Sequence, residues 1–399
     1  MNRNIFIAYI LTFLRNSWFW LGIWVFYYLK FTNYAGIGLI ETSLIIAMTI
    51  SEIPTGAIAD LFGKKVTLTI SFLLQTIGMG MLAFAPQVSW LIIGVFIAGI
   101  GGSFYSGTVD ALLYDTLKEI GEEKKFDKVI SRVTSISLIA PAVCGIIGGF
   151  LYYVSPNLPF IAHTIFYFIG IPLTLLLIEP KIKEANNFSF KNFVKQTHYG
   201  FRELFKNNFV IEQTILLLSA GVIIVICDEM LNSFLGVEFK FNPAQLAILW
   251  SIIYLVASFV SNATPYFKKF MSYRNFAIWV GIFIALSLLV SPIAGMIFGG
   301  VSLLVRSSLQ AVYSNVSSIL VNETTESKYR TTTLSTFNLL KNVPYVLTAY
   351  YLGSLADHYS AIKIAFFLGI ALAIFIILQA IIYMKRQSGR HASLASEAK

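Results

Sequence analysis

Apolar residues arrive in twelve long runs separated by short polar breaks, at roughly 5–29, 36–59, 66–85, 88–115, 130–153, 158–179, 209–235, 243–266, 275–291, 293–321, 331–354 and 361–384. Each approaches the roughly 20 residues that an α-helix needs to cross the hydrocarbon core of a bilayer. The pattern therefore predicts an all-α polytopic membrane protein with 12 transmembrane helices. The breaks are unequal. The polar stretch 180–208 carries Lys181, Lys183, Lys191, Lys195, Arg202 and Lys206. It divides the chain into a six-helix bundle at 1–179, a linker at 180–208, a second six-helix bundle at 209–384 and a tail at 385–399. The tail is short of apolar residues and is expected to be disordered.

Composition agrees with the pattern. Hydrophobic residues make up 57% of the chain and charged residues 12%, against about 25% charged in a soluble domain. A net charge of +9 would suggest nucleic acid in a soluble chain, but here Lys and Arg sit in the connecting loops. Counted by alternate loops, one side holds Arg3, Lys64, Lys65, the cluster from Lys118 to Arg132, the central linker, Lys268, Lys269, Arg274, Lys328, Arg330 and the tail; the other holds Lys30, Lys240 and Lys363. Cytoplasmic loops carry the basic excess, so both termini are expected in the cytoplasm, the protein in the cell membrane, and no nucleic acid among its partners. The first run begins at Ile5 with no small-residue cleavage site after it and reads as a retained helix.

Catalytic chemistry finds no support. Cys144 and Cys227 lie inside apolar runs and read as small buried hydrophobes. There is no P-loop, Cys-x-x-Cys, His cluster or Gly-x-Ser-x-Gly, so neither an enzyme nor a metal site nor a cofactor is expected.

Charges within the apolar runs are few. They are Arg15 in the first, Glu41 and Glu52 in the second, Asp110 and Asp115 in the fourth, Asp228 and Glu229 in the seventh, Arg306 in the tenth and Lys341 in the eleventh. A charge at a helix centre costs about 2.5 to 3.5 kcal/mol on insertion scales, so such residues face water or partners. At about 1.5 Å per residue, Arg15 and Lys341 fall near the midplane, with Arg306 somewhat toward the cytoplasm. Glu41, Asp228 and Glu229 lie toward the outside; Glu52, Asp110 and Asp115 lie toward the cytoplasm. Arg306, Gln310, Tyr313 and Ser317 recur every three or four residues, as do Asn338, Lys341 and Tyr345, which places each set on one helix face.

One loop is more specific. Between the second and third runs stands Gly56-Ala-Ile-Ala-Asp60-Leu-Phe-Gly63-Lys64-Lys65-Val-Thr-Leu68. It resembles, position for position, the G-x-L-a-D-r-x-G-r-k-x-x-l signature of the major facilitator superfamily, with Ile58, Leu61 and Lys64 as departures. The resemblance implies a secondary transporter working by alternating access. The first, fourth, seventh and tenth helices would line a central cavity, and the third, sixth, ninth and twelfth would face lipid. Intramembrane charge avoids that last group: of His and the charged residues only His163 stands well inside it, with Glu179 and Lys363 at helix ends, and His163 reads as a packed or interfacial residue.

By the same resemblance, Asp60 caps the N-terminus of the eleventh helix in the outward-facing state and Lys64 and Lys65 hold carboxylates. Glu52, Gly56, Gly63, Asp110 and Asp115 then belong to that gate. Pro141, Gly145, Gly148 and Gly149 in the fifth helix are similar to the Gly-Pro motif of drug antiporters. The implied function is proton-coupled export of small organic or drug-like molecules by a monomer, with protons, a small-molecule substrate and the lipid bilayer as partners. Glu41, Asp228 and Glu229 are the candidates for the proton, although the last two also suit a watery external mouth. Arg15, Arg306 and Lys341, with Gln310, Asn338 and Tyr345, either contact substrate or pair with Glu41 or Asp228. Their positive midplane leaves uptake or exchange of an organic anion as the alternative.

Overall fold

The computed structural model describes the backbone of residues 3–180, 190–262, 266 and 270–397, and backbone alone for 52–61, 190–196, 261–262, 328, 331 and 382–397. The described residues contain helices and no strand. In chain order these are α1 (Arg3–Arg15), α2 (Trp24–Tyr28), α3 (Tyr34–Phe62), α4 (Lys64–Ala83), α5 (Val88–Tyr105), α6 (Thr108–Glu119), α7 (Phe126–Val154) and α8 (Leu158–Leu175). They continue with α9 (Phe190–Leu204), α10 (Asn208–Ile226), α11 (Asn232–Glu238), α12 (Pro243–Asn262), α13 (Tyr273–Leu289), α14 (Met296–Thr324), α15 (Arg330–Tyr359) and α16 (Ala361–Glu397). A π-turn, Cys227–Leu231, joins α10 to α11.

The all-α reading holds. Ten spans among the described residues are long and apolar enough to cross a membrane, and the other two expected spans depart for opposite reasons. The first is cut into α1 and α2, both too short to cross. The eleventh, α15, has 30 residues but carries Asn338, Lys341 and Asn342, which lower its hydropathy.

Three spans expected to be continuous are interrupted. Between α1 and α2 the chain winds irregularly through 16–23, with Gly22 at φ +77°. Between α5 and α6 it bends at Ser106–Gly107, Gly107 at φ +74°. Between α10 and α11 it widens into the π-turn. Apolar periodicity does not reveal such breaks, because a run of sufficient hydropathy reads as one helix whatever its backbone does locally.

Two polar segments are more ordered than their composition suggested. The expected linker 180–208 contains α9, whose Phe193, Val194, Phe201 and Leu204 recur at helical spacing. Gly200 in α9 meets α15 so closely that an added Cβ would lie 2.3 Å from the Thr336 hydroxyl. The expected disordered tail instead continues α16 to Glu397; extending an existing helix adds a hydrogen bond per residue without a new nucleation cost.

The chain forms two compact units: Met1–Phe190 with Gly236–Val256 and Val346–His358, and Lys191–Leu235 with Ala257–Tyr345 and Tyr359–Lys399. In the first, α7 receives the irregular segment after α1. A Cβ at Gly148 would fall 1.6 Å from the Phe19 carbonyl oxygen, and one at Gly149 would fall 2.8 Å from Ala247 Cβ in α12. At the α3 end opposite Gly63, the C-terminal part of α15 lies against the start of α3: a Cβ at Gly38 would sit 2.4 Å from the Ala349 carbonyl, and one at Gly353 would sit 2.3 Å from that of Tyr34.

Candidate functional site

The loop between α3 and α4 forms the first cluster. Gly63 adopts φ +89°, ψ 161°, a conformation essentially confined to glycine. It turns the chain so that the first backbone N–H groups of α4 point outward, and both are taken by one carboxylate. The Lys64 and Lys65 amides donate to Glu179 Oε1 and Oε2, each at 2.8 Å. The negative charge sits where the helix macrodipole is positive. The Lys64 ammonium is ion-paired with Asp115 of α6. Asn4 of α1 completes the layer, donating to the Thr116 hydroxyl at 3.0 Å and the Ile178 carbonyl at 2.8 Å while accepting from the Ile178 amide at 2.9 Å. Of the expected gate residues, the structure brings Lys64 and Asp115 together. Asp110 instead sits exposed in the first turn of α6. Glu179 and Asn4 were missed by sequence reasoning; an acid at the end of one span has no periodic signal that links it to another helix. The side chains of Glu52, Gly56 and Asp60 lie outside the described residues.

Deeper in the first unit stands Arg15. The break after α1 makes the Phe19 amide donate to the Ser17 carbonyl at 2.8 Å, not to Arg15. The orphaned Arg15 carbonyl is met by His163 Nε2 at 3.2 Å and by the Tyr167 hydroxyl at 3.4 Å. Because the Trp20 indole N–H donates to His163 Nδ1 at 2.8 Å, the imidazole proton resides on Nε2. His163, fully buried, thus bridges both sides of the break. The Arg15 guanidinium lies 4.5 Å from the centroid of the Tyr105 ring, a cation–π contact, and the ion pairs of the described residues do not include it. Glu41, on α3, is 8% exposed and close enough to Tyr28 to act on it electrostatically.

The second unit gathers the acids. Asp228 and Glu229 occupy the π-turn, Asp228 exposed and Glu229 half-buried. Gln310 of α14 hydrogen-bonds the Asp228 carboxyl, and Lys341 of α15 lies within electrostatic reach of both acids. The stem of Lys341 packs on Gly221: a Cβ there would lie 3.0 Å from Lys341 Cδ and 3.1 Å from the Tyr313 hydroxyl. Tyr313 donates to the Leu217 carbonyl, fixing α14 against α10. Asn338 is exposed and Tyr345 fully buried.

Arg306 is placed differently. It is 1% exposed, inside the bundle, with Nε donating to Asn232 Oδ1 at 2.7 Å and one terminal nitrogen donating to the Ser287 carbonyl and hydroxyl, each at 3.4 Å.

The model of the Major Facilitator Superfamily matches residues 5–349. The chain belongs to this superfamily. It is a multi-pass membrane protein. A multidrug resistance protein of Bacillus subtilis is 23% identical over 194 residues, covering 49% of this chain and 48% of the relative. The quinolone resistance protein NorA of Staphylococcus aureus is 26% identical over 196 residues, covering 47% and 48%. An MFS-type transporter of B. subtilis, YxaM, is 25% identical over 167 residues, covering 41% of each. Each match spans about half the length of the curated relative. Among solved structures, the nucleoside transporter NupG superposes with a TM-score of 0.76 at 18% identity, covering 96% of this chain and 99% of NupG. A POT family transporter in complex with 5-aminolevulinic acid reaches 0.75 at 13% identity, covering 96% and 97%. These superpositions establish the shared fold.

Proposed function

We propose that this superfamily member is a proton-coupled secondary transporter that exports small organic or drug-like molecules by alternating access. The observation that carries the reading is the acidic pair on the π-turn of the second unit, with Lys341 close by. π-turns recur at functional sites. A cluster of two carboxylates and one ammonium carries a net −1 and becomes neutral on taking up one proton, so the loaded form has no net charge to bury inside a membrane. The interruptions of the first, fourth and seventh spans support the same reading, since broken helices in transporters free backbone groups beside the substrate. The half-length similarity to drug-resistance proteins favours export. One proton crossing about 150 mV supplies roughly 3.5 kcal/mol, enough for a substrate gradient of several hundredfold.

Purified protein in liposomes tests it. A pH gradient should drive uphill movement of ethidium in the native protein, and the double variant Asp228→Asn with Glu229→Gln should lose uphill movement while retaining exchange. Unchanged accumulation in the double variant would remove the pair from the mechanism. We further propose that both termini and the Gly63 loop are cytoplasmic; cysteines placed at Lys124 and Arg202 should then be shielded from impermeant reagents in whole cells.

A second reading, uptake or exchange of an organic anion, is favoured by Arg15. Its guanidinium rests on Tyr105 with no carboxylate in ion-pair contact among the described residues. Anion-dependent thermal stabilisation that vanishes in Arg15→Gln would support this reading over the first.

A further inference from the structure

We propose that Arg306 is a positioning residue that holds, through Asn232, the C-terminal end of the π-turn carrying Asp228 and Glu229, and that it does not contact substrate. The inference rests on the reading of that pair as the proton site.

Burial supplies the first argument. At 1% exposure the guanidinium offers no surface to a ligand. Its contacts supply the second. Nε reaches Asn232, the residue immediately after the π-turn, at 2.7 Å. Asn232 is held again by α14, its side-chain amide donating to Ser307 at 3.3 Å. One terminal nitrogen is anchored to the carbonyl and hydroxyl of Ser287 in α13. The other has no hydrogen-bond partner among the described residues. Three helices, α11, α13 and α14, thus meet at one buried cation beside the end of the turn.

The physical need for such a clamp is specific. A π-turn accommodates one residue more than an α-turn and is rare without side-chain support. Relaxation to α-helical register would rotate everything beyond the turn by about 100°. That rotation would change which of the two acids faces the accessible side and Lys341. A buried guanidinium without a carboxylate in contact is costly, and keeping the turn in its wide register is the structural return visible for that cost.

The test does not depend on knowing the substrate. In the full-length protein reconstituted in lipid, infrared spectroscopy follows the carboxyl band as pH is varied, and the part lost in Asp228→Asn with Glu229→Gln defines the pair. Arg306→Lys keeps the charge but not the Nε donor, and Asn232→Ala keeps Arg306 but removes its acceptor. Both should move the midpoint of that band in the same direction by at least about half a pH unit, roughly a threefold change in proton affinity. Hydrogen exchange of the 222–235 backbone should rise alongside. A midpoint matching the native protein in both variants would overturn the proposal. A band indifferent to the double neutralisation would defeat the proton-site reading itself, a distinguishable failure. If Arg306→Lys does not fold, Asn232→Ala decides alone.

Discussion

Gly63 and Glu179 show how little freedom single positions have in the loop between α3 and α4. Any side chain at 63 meets two obstacles: a φ of +89°, and the Glu179 carboxyl carbon 2.7 Å from the position of its Cβ. Gly63→Ala is expected to lower the stability of the purified protein by about 1 to 3 kcal/mol, read as a fall in Tm. Glu179→Gln keeps one acceptor but loses the charge at the α4 N-terminus and sets an amide NH2 against the other backbone N–H, so it should cost about 1 to 3 kcal/mol. An unchanged Tm in Gly63→Ala would mean that the loop relaxes freely. Gly63, Lys64 and Lys65 were legible in the sequence because a spaced motif marks them. Their partner Glu179 was not, because its role arises only where α8 ends beside α4.

The interruption of the first span is the decisive feature at the level of elements. It exists because α7 has no side chain at 148 to block the Phe19 carbonyl, and because His163 and Tyr167 satisfy the carbonyl that Arg15 would otherwise bury unpaired. Gly148→Ala is therefore expected to reduce transport severely and to lower Tm, since its Cβ would have to occupy space within 1.6 Å of the Phe19 oxygen. Gly80→Ala provides the contrast: its nearest neighbour would be Thr164 Cγ2 at 3.6 Å, an ordinary contact, and replacing glycine inside a helix should be neutral or slightly stabilising. Equal behaviour of the two variants would show that the break is not needed. The same element explains His163, which its run presents as one polar residue in a lipid-facing span. The structure buries it fully across the break, and only the fold supplies the two partners that fix its tautomer.

At the scale of the whole molecule, the proposed alternating access bears on one contact of the first unit, at the α3 end opposite Gly63. There Asp357 accepts the Tyr34 and Ala35 amides, each at 3.0 Å, and so caps α3 with a residue more than 300 positions away. If transport separates this end of α15 from α3, the cap must break once per cycle. Asp357→Asn would weaken it by about 1 kcal/mol, about a fivefold change in the open population. Labelling of a cysteine at the buried position Ala349 should accelerate by that factor in the variant; an unaltered rate would show that the cap does not govern opening.

Hydrophobic run length and charge distribution alone determined that this chain crosses a membrane many times as helices, because the cost of exposing backbone and charge to lipid leaves few alternatives. The spaced glycines, acid and lysines of the loop between α3 and α4 determined its superfamily. Tertiary structure alone decided which polar residues meet. It buried Arg306 among Asn232, Ser287 and Ser307, left Arg15 on Tyr105, and set Lys341 beside two acids on a π-turn. Those outcomes depend on helix rotation and on local breaks of a few residues, and periodicity averaged over a whole span carries no record of either.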